Sequence, residues 1–155
     1  RSYIVNNQTN FQNILFSEKT IDYSINEYLF IDGRIDLIRD SLNDTITIVD
    51  FKSSSEVLSR EQIKNQLMVY VLGYETLTGE KVDFIESYDF NNNDPTRIQV
   101  EQADKVAFRT RLEECHRVIK TSNYPKLGKE DPTKGKAYCE SMGCEFLKNC
   151  FPVDK

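Results

Sequence analysis

Hydrophobic and polar residues alternate along three stretches in the first third of the chain, which is the pattern of β-strands that bury one face. The stretches are TIDYSIN, YLFIDGRIDLIRD and TITIVDFKS, at residues 20–26, 28–40 and 45–53. A polar break at residues 41–44 separates the second stretch from the third. We therefore expect these two strands to pair as a β-hairpin.

A helical pattern follows the third strand. Ser59 and Gln62 have the spacing of a capping box, and Gly79 is typical of the position just beyond a helix end. The segment between them is apolar on most sides. This predicts a largely buried helix over residues 60–77.

Farther along, the pattern predicts strands at residues 81–90 and 97–100 and a second helix over residues 101–121. The apolar stripe expected for that helix consists of Phe108, Leu112, Cys115 and Ile119. Residues 123–155 form a loop-like tail that holds three cysteines. This order of elements indicates an α/β fold, a central mixed β-sheet flanked by helices, in a single domain over residues 1–155.

Composition limits the class of protein. With 155 residues and 39% hydrophobic content, the chain can bury one core. It lacks both the roughly 18 apolar residues of a membrane span and the features of a signal peptide, so we expect an intracellular, cytoplasmic protein without a membrane partner. The start at Arg1 suggests a fragment of a larger protein. The net charge of -5 counts against a stand-alone DNA-binding module, but not against an enzyme whose metal meets the phosphate.

Strand alternation gives the first chemical signal, because it places Asp50 and Lys52 on the same face of the third strand. If the hairpin loop has an odd number of residues, such as 42–44, the paired positions sum to 86 and Asp36 lies opposite Asp50. Directly opposed residues have Cβ atoms about 4.5 to 5.5 Å apart. Two carboxylates would then meet beside an ammonium group.

Adjacent carboxylates repel each other unless they share a cation or a proton. Mg²⁺ takes oxygen ligands, commonly one or two carboxylates completed by waters and substrate phosphate. A neighbouring lysine could orient the attacking water and stabilise charge at phosphorus, which is the chemistry of phosphodiester hydrolysis. The structural alternative is a salt bridge between Asp50 and Lys52 at a strand end with Asp36 capping a turn, since short motifs often arise by chance.

Three motifs in order extend this pattern: GRIDLI at residues 33–38, IVDFKS at residues 48–53, and QLMVY at residues 66–70 in the next helix. Together they resemble the PD-(D/E)XK nuclease superfamily, and within it the branch of the RecB-type and AddAB-type nuclease domains and the CRISPR-adaptation nucleases. The resemblance implies a restriction-endonuclease-like core and a Mg²⁺- or Mn²⁺-dependent deoxyribonuclease that acts on DNA. It also implies a helicase domain or subunit, in cis or in trans, and a role in DNA end processing and repair.

The resemblance further implies residue roles. Asp36 and Asp50 would be metal ligands, the backbone carbonyl of Phe51 a further ligand, and Lys52 the catalytic lysine.

In the helix, Gln66 and Tyr70 match the Q-x-x-x-Y signature of the family. With Tyr74 they lie four residues apart, so the three could form one polar-tipped stripe that faces the metal site and binds DNA phosphate or the catalytic lysine. Alternatively, the tyrosines pack in the core and bond backbone carbonyls.

Two features depart from the family pattern. Members of this branch commonly carry a histidine on a helix upstream of the first strand, whereas the only histidine of this sequence is His116. An isolated domain without that helix could be weak or inactive. Glu18 aligns roughly with an acidic position of some relatives, and we expect it to be a surface or salt-bridge residue.

The cysteines of the tail resemble those of relatives with an iron-sulfur cluster, which place one cysteine before the nuclease core and three after it. Five residues separate Cys144 from Cys150, as in those relatives, but four rather than two separate Cys139 from Cys144. The upstream cysteine is absent, and Cys115 is a poor substitute because we expect it on the buried stripe of its helix. The three tail cysteines either bind a 4Fe-4S cluster or zinc in the intact protein, or are reduced or oxidised thiols.

The lysines of the tail could line a DNA path or belong to a solvated loop. They are Lys126, Lys129, Lys134, Lys136 and Lys148. We expect a metal-dependent nuclease domain. The alternatives are a catalytically inactive module of the same fold that binds DNA or docks a protein, and a cysteine-rich tail that senses redox state.

Overall fold

The computed structural model describes residues 13–41, 44–53, 58–90, 94–121, 136–141 and 143. Its elements are β1 (Ile14–Asn26), β2 (Leu29–Ser41), β3 (Thr45–Lys52), α1 (Arg60–Thr78), β4 (Val82–Asp89), β5 (Asp94–Gln99), α2 (Gln102–Lys120) and α3 (Lys136–Ser141). The strands form one sheet in the order β1-β2-β3-β4-β5, in which β3 and β4 are parallel and the other neighbours are antiparallel. A mixed sheet with flanking helices confirms the predicted α/β class.

The hairpin of β2 and β3 has the predicted register. Its pairs run from Ser41↔Thr45 to Leu37↔Val49, and the numbers of each pair sum to 86. The first strand is longer than the sequence pattern suggested, because β1 begins at Ile14 and pairs with β2 over most of its length. A long hairpin of β1 and β2 therefore forms one side of the sheet.

Helix α1 connects the two parallel strands. Ser59 and Gln62 form the predicted capping box, and Gly79 ends the helix in the left-handed conformation, with its N–H donated to the carbonyl of Glu75. The buried residues of α1 include Leu67, Val71 and Tyr74, which confirms that the helix is largely buried.

The core lies mainly between α1 and the sheet. Ile21, Ile38 and Ile48 are fully buried there, and Phe108 of α2 joins the same cluster. A smaller cluster of Leu37, Val49 and Tyr88, with Phe51 packed against it, forms separately. Ile48 and Val49 are adjacent in β3, so the two clusters lie on opposite faces of that strand.

Strand alternation is interrupted in the middle of β2. Ile35 and Ile38 belong to the same core cluster although they are three residues apart, whereas Leu37 belongs to the other cluster. Strict alternation would place Ile35 and Leu37 on one face. The strand therefore changes its buried face next to Asp36.

Two predictions about the second half of the chain are wrong. Phe108 and Leu112 pack on the core, but the predicted stripe of α2 does not continue, because Cys115 is exposed and Ile119 is 60% exposed. Cys115 is thus not a buried hydrophobe. Within the tail expected to be loop-like, residues 136–141 form the short helix α3.

The chain separates into two compact units, Arg1–Glu113 and Glu114–Lys155. The first contains the five strands, α1 and the first part of α2, and the second contains the rest of α2 and α3. The single domain over residues 1–155 stays a prediction. Among the described helices, none is long and apolar enough to cross a membrane.

Candidate active site

The candidate site lies at the carboxyl end of β3, the parallel strand in the middle of the sheet. Asp50 pairs with Ser87 of β4, and Lys52 pairs with Asp89. In α/β sheets, ligands bind beyond the carboxyl ends of parallel strands, where helices and loops leave a crevice. The predicted catalytic residues therefore occupy a position in which such folds place binding sites.

Asp50 and Lys52 form an ion pair. The Nζ of Lys52 lies 2.8 Å from Oδ2 of Asp50, and their side chains are 24% and 10% exposed, respectively. Alternation along β3 places both residues on one face, as predicted. The structural alternative also expects this contact.

The hairpin register brings Asp36 to the same place. The β2–β3 ladder ends at the pair Leu37↔Val49, and Asp36 and Asp50 are the next residues on the two strands. The Oδ2 of Asp36 accepts a hydrogen bond of 2.9 Å from the backbone N–H of Phe51, which fixes the carboxylate against the end of β3. Asp36 does not cap a turn, so that part of the structural alternative is wrong.

Asp50 is held in an unfavourable environment for a carboxylate. Burial is the main factor that raises the pKa of Asp50, Lys52 lowers that pKa, and the negative charge of Asp36 raises it further. Net, the pKa lies above its ordinary value. Burial and a second carboxylate thus both oppose the charged form of Asp50 in the folded chain.

The oxygen atoms of this pair fit a divalent cation. The Oδ2 of Asp50 is buried and, apart from the ion pair with Lys52, accepts no hydrogen bond from the part of the chain that the structure describes. Mg²⁺ and Mn²⁺ prefer carboxylate oxygens, and two such ligands suffice when water and phosphate complete the shell. Within the described ranges, no three His, Cys, Asp or Glu side chains converge on a metal position, so Asp36 and Asp50 would have to hold the cation with such additional ligands.

Phe51, the predicted source of a carbonyl ligand, is anchored by aromatic packing. Its ring stacks on Phe90 at 5.3 Å between centroids and meets Tyr88 edge to face at 6.4 Å. With its N–H donated to Asp36, the backbone at this strand end is held from two sides. A ligand role of its carbonyl stays a prediction.

Tyr70 of α1 lies close to the carboxylates. Burial is the largest cause that raises the pKa of Tyr70, and the charges of Asp50 and then Asp36 raise it as well. Its ring packs over Gly33, since a Cβ at that glycine would lie 3.1 Å from Cε1 of Tyr70. The structure therefore places Tyr70 beside the candidate metal ligands.

The other two residues of the predicted polar stripe on α1 are Gln66 and Tyr74. Gln66 is exposed, and no described contact joins it to the two carboxylates or to Lys52, so its role stays a prediction. Tyr74 is 1% exposed and donates its hydroxyl hydrogen bond to Glu80 at 2.5 Å. The expectation that Tyr74 faces the site is wrong. Its alternative as a core residue is confirmed, although the hydroxyl bonds the carboxylate of Glu80 and not a backbone carbonyl.

Sequence reasoning did not single out two neighbours of the site. Gly33 leaves the space that the ring of Tyr70 fills, and its position three residues before Asp36 is the signal that could have indicated it. Arg34 forms an ion pair with Glu18, at 2.7 Å between Nε and Oε2. This contact confirms the salt-bridge interpretation of Glu18.

The predicted cofactor-binding cysteines lie mostly outside the described residues. Cys139 falls within α3, where the structure describes the backbone, and Cys144 and Cys150 lie in the part it does not describe. Of the tail lysines, Lys136 is exposed and lies 3.8 Å from Glu140, whereas the other four lie outside the described residues. A cluster or zinc site at these cysteines stays a prediction.

Comparison with known proteins adds independent information. The model of the PD-(D/E)XK nuclease superfamily matches residues 4–151. A crystal structure of a candidate exonuclease from Eubacterium rectale shares the fold with a TM-score of 0.52 and 14% identity, covering 79% of this chain. The crystal structure of SSO0001 gives a TM-score of 0.53 and 20% identity over 92% of this chain.

The aligned regions make up 51% and 65% of those two proteins, so the present chain spans only part of each. At such identities the likeness concerns the fold alone. No curated protein sequence matches the chain.

Proposed function

Since the chain belongs to the PD-(D/E)XK nuclease superfamily, whose members typically use divalent metal ions, we propose that it is a Mg²⁺- or Mn²⁺-dependent deoxyribonuclease domain. The observation that carries the proposal is the meeting of Asp36, Asp50 and Lys52 at the carboxyl end of β3. Two carboxylates supply hard oxygen ligands, and a lysine adds a positive charge beside them. This combination suits hydrolysis of a phosphodiester bond.

Each residue has a distinct part in the proposed reaction. Asp36 and Asp50 would hold the divalent cation, with the carbonyl of Phe51 as a further oxygen ligand. When bound, the cation would supply Lewis-acid polarisation of the phosphate and a lower pKa for the attacking water. Asp36 is kept in place by its hydrogen bond from the N–H of Phe51.

Lys52 would act on the phosphate and the water. Its Nζ lies 2.8 Å from the Asp50 carboxylate and retains N–H donors that can orient a water molecule or stabilise negative charge on a phosphoryl oxygen. Tyr70, whose hydroxyl lies in the field of Asp50 and Asp36, would donate a hydrogen bond to the substrate phosphate. Gln66, exposed one turn earlier on α1, would contact the DNA strand.

The direct test is cleavage of end-labelled linear DNA, single-stranded and double-stranded, with Mg²⁺ or Mn²⁺. Asp50→Ala should abolish metal-dependent cutting. Asp40→Asn is the matched control, because Asp40 also carries a buried carboxylate oxygen without a hydrogen bond within the described residues and has no proposed role. Equal cutting by wild type and Asp50→Ala would refute the proposal, and DNA binding without any cutting would favour the inactive binding module.

We further propose that this domain works with a helicase, in cis or in trans, in DNA end processing and repair, as in the RecB-type and AddAB-type nucleases. The order and spacing of GRIDLI, IVDFKS and QLMVY support this branch. Such an assembly would degrade duplex DNA faster when ATP is present. ATP-independent digestion of long duplexes by the full-length protein with all its subunits would contradict the association.

The cysteines support a separate proposal about cofactors. Cys139, Cys144 and Cys150 would ligate a 4Fe-4S cluster or zinc in the intact protein. Anaerobic purification followed by visible absorption and by iron and zinc analysis decides between these metals. Metal-free protein with three thiols that react with a thiol reagent would contradict ligation.

A further inference from the structure

Arg34 presents a guanidinium group near the candidate site. Its Nε lies 2.7 Å from Oε2 of Glu18, and the two side chains are 68% and 60% exposed, respectively. A guanidinium has five N–H donors on three nitrogens, more than one carboxylate contact engages. Their planar fork matches the oxygens of a phosphate group.

The ion pair lies along the strands that hold Asp36. Arg34 precedes Asp36 by two residues on β2, so their Cα atoms are roughly 6.6 Å apart. The pairs Ser17↔Leu37 and Lys19↔Ile35 of the β1–β2 ladder place Glu18 at the level of Asp36. Both partners of the ion pair therefore flank a candidate metal ligand.

The backbone of Glu18 is strained. Its φ of 53° lies in the left-handed region, which residues with a side chain rarely adopt. The other described non-glycine residue with positive φ, Asp44, lies in the turn of the β2–β3 hairpin, where such a value is ordinary. Glu18 lies inside a strand, and strain of this kind is commonly found at functional positions.

Electrostatics places Arg34 in the neighbourhood of the site. The hydroxyl of Tyr70 feels the charges of Asp50, Asp36, Lys52 and Arg34, of which the two cations lower the pKa of Tyr70. The whole chain has a net charge of -5. A DNA strand that approaches two carboxylates on an acidic domain needs local cations, and Arg34 is one of the two that act on Tyr70.

We propose that Arg34 binds a backbone phosphate of the substrate strand beside the phosphate that is cleaved, and that Glu18 is a positioning residue that orients its guanidinium. This inference rests on the proposed nuclease function. The ligand is the phosphodiester backbone, so the contact carries no base specificity.

The test compares Arg34→Ala, Arg34→Lys and Glu18→Gln with wild type. Arg117 and Glu114 supply the matched controls, since they form a similarly exposed pair at 2.6 Å on α2. Arg117→Ala and Glu114→Gln change the net charge by the same amounts as Arg34→Ala and Glu18→Gln. Two readouts are measured at several salt concentrations: kcat and KM for cleavage of a linear oligonucleotide with Mg²⁺, and the Kd for the same oligonucleotide in EDTA.

For Arg34→Ala we expect KM and Kd to rise about tenfold, with kcat nearly unchanged, because a charge-assisted contact to substrate is lost. The slope of log Kd against log salt should fall by about 0.7 for a single strand. The KM and Kd of Arg34→Lys should lie between those of wild type and Arg34→Ala, since lysine keeps the charge but lacks the planar guanidinium. Glu18→Gln should raise KM although it makes the chain less acidic, whereas the two control variants should leave KM unchanged or shift it in the direction of their charge.

Equal effects of Arg34→Ala and Arg117→Ala would refute the phosphate contact while leaving the nuclease proposal intact. A lower KM for Glu18→Gln would mean that Glu18 competes with phosphate for Arg34, which refutes the positioning role. If wild type neither cuts nor binds the oligonucleotide, both the nuclease proposal and this inference fail. If wild type binds in EDTA without cutting under any condition, the Kd values alone still decide the role of Arg34.

Discussion

Asp50 shows at the scale of a single residue how a binding site opposes the stability of the fold that carries it. Its carboxylate is buried, is subject to the negative charge of Asp36, and has one oxygen whose only described partner is the Lys52 ammonium. These conditions raise the pKa of Asp50. Because the folded-state pKa is raised, protonation of this carboxyl favours the folded state, and its stabilising effect disappears as the pH rises through the folded pKa.

Asp50→Asn should therefore remove a destabilising charge from the metal-free protein at neutral pH. We expect its melting temperature in EDTA to equal or exceed that of wild type, and the increase that Mg²⁺ gives to wild type to disappear. Thermal unfolding with and without Mg²⁺ measures both effects. Asp40→Asn should retain the Mg²⁺-dependent increase, and loss of that increase in both variants would contradict a metal site at Asp50.

Gly33→Ala should disturb the site with little effect on the fold. The new Cβ would lie 3.1 Å from Cε1 of Tyr70, so the ring must move by a few tenths of an ångström. We expect kcat for DNA cleavage to fall several-fold while the melting temperature changes little, since small misplacements at a reacting centre are costly. If Gly33→Ala cuts DNA like wild type while Tyr70→Phe does not, the position of the ring is not critical.

Helix α1 is the element that joins the fold to the site. It connects the parallel strands β3 and β4 and packs on the sheet through Leu67 and Val71. It also carries Tyr70, which is half-buried. Gly73 allows the close approach, because a Cβ there would lie 2.6 Å from Cδ1 of Ile21 and 2.8 Å from Cε1 of Tyr23. Gly73 therefore sets how closely α1 approaches the sheet. The position of Tyr70 relative to the two carboxylates depends on this approach.

Gly73→Ala should lower the free energy of unfolding by about 1 to 3 kcal/mol, because an added methyl group overpacks this contact. Ile21→Val, which removes Cδ1, should by itself cost roughly 0.5 to 1.5 kcal/mol. The double variant should be less destabilised than the sum of the two, since the loss of Cδ1 relieves the contact with Ile21 while the contact with the Tyr23 ring remains. Urea unfolding of the four proteins gives the coupling energy, and strict additivity would contradict a direct clash with Ile21.

At the scale of the whole molecule, the charge balance would make binding of the proposed DNA substrate depend on the proposed metal. The chain has 20 basic and 25 acidic residues. The candidate site contains two carboxylates, one lysine and a nearby arginine. Phosphate approach is unfavourable until a divalent cation reverses the local charge. The metal would thus contribute to substrate affinity as well as to chemistry.

We expect Mg²⁺ to tighten DNA binding by more than about tenfold, the effect of one strong charge-assisted contact. Fluorescence anisotropy measures this change in affinity. The protein used is Lys52→Met, which keeps both carboxylates but should not cleave the DNA. Addition of Asp50→Asn to that variant should abolish the gain. Equal affinity of Lys52→Met with and without Mg²⁺ would contradict a metal bridge to the phosphate.

The sequence by itself determined the features that depend on near neighbours in the chain. Alternation, the capping box of Ser59 and Gln62, and the odd loop of the hairpin are local signals, so β2, β3, the bounds of α1 and the sum of 86 in the hairpin register follow from them. Tertiary structure decided the rest. The change of buried face beside Asp36 and the exposure of Cys115 depend on which segments pack together, and a periodic pattern contains no information about those contacts.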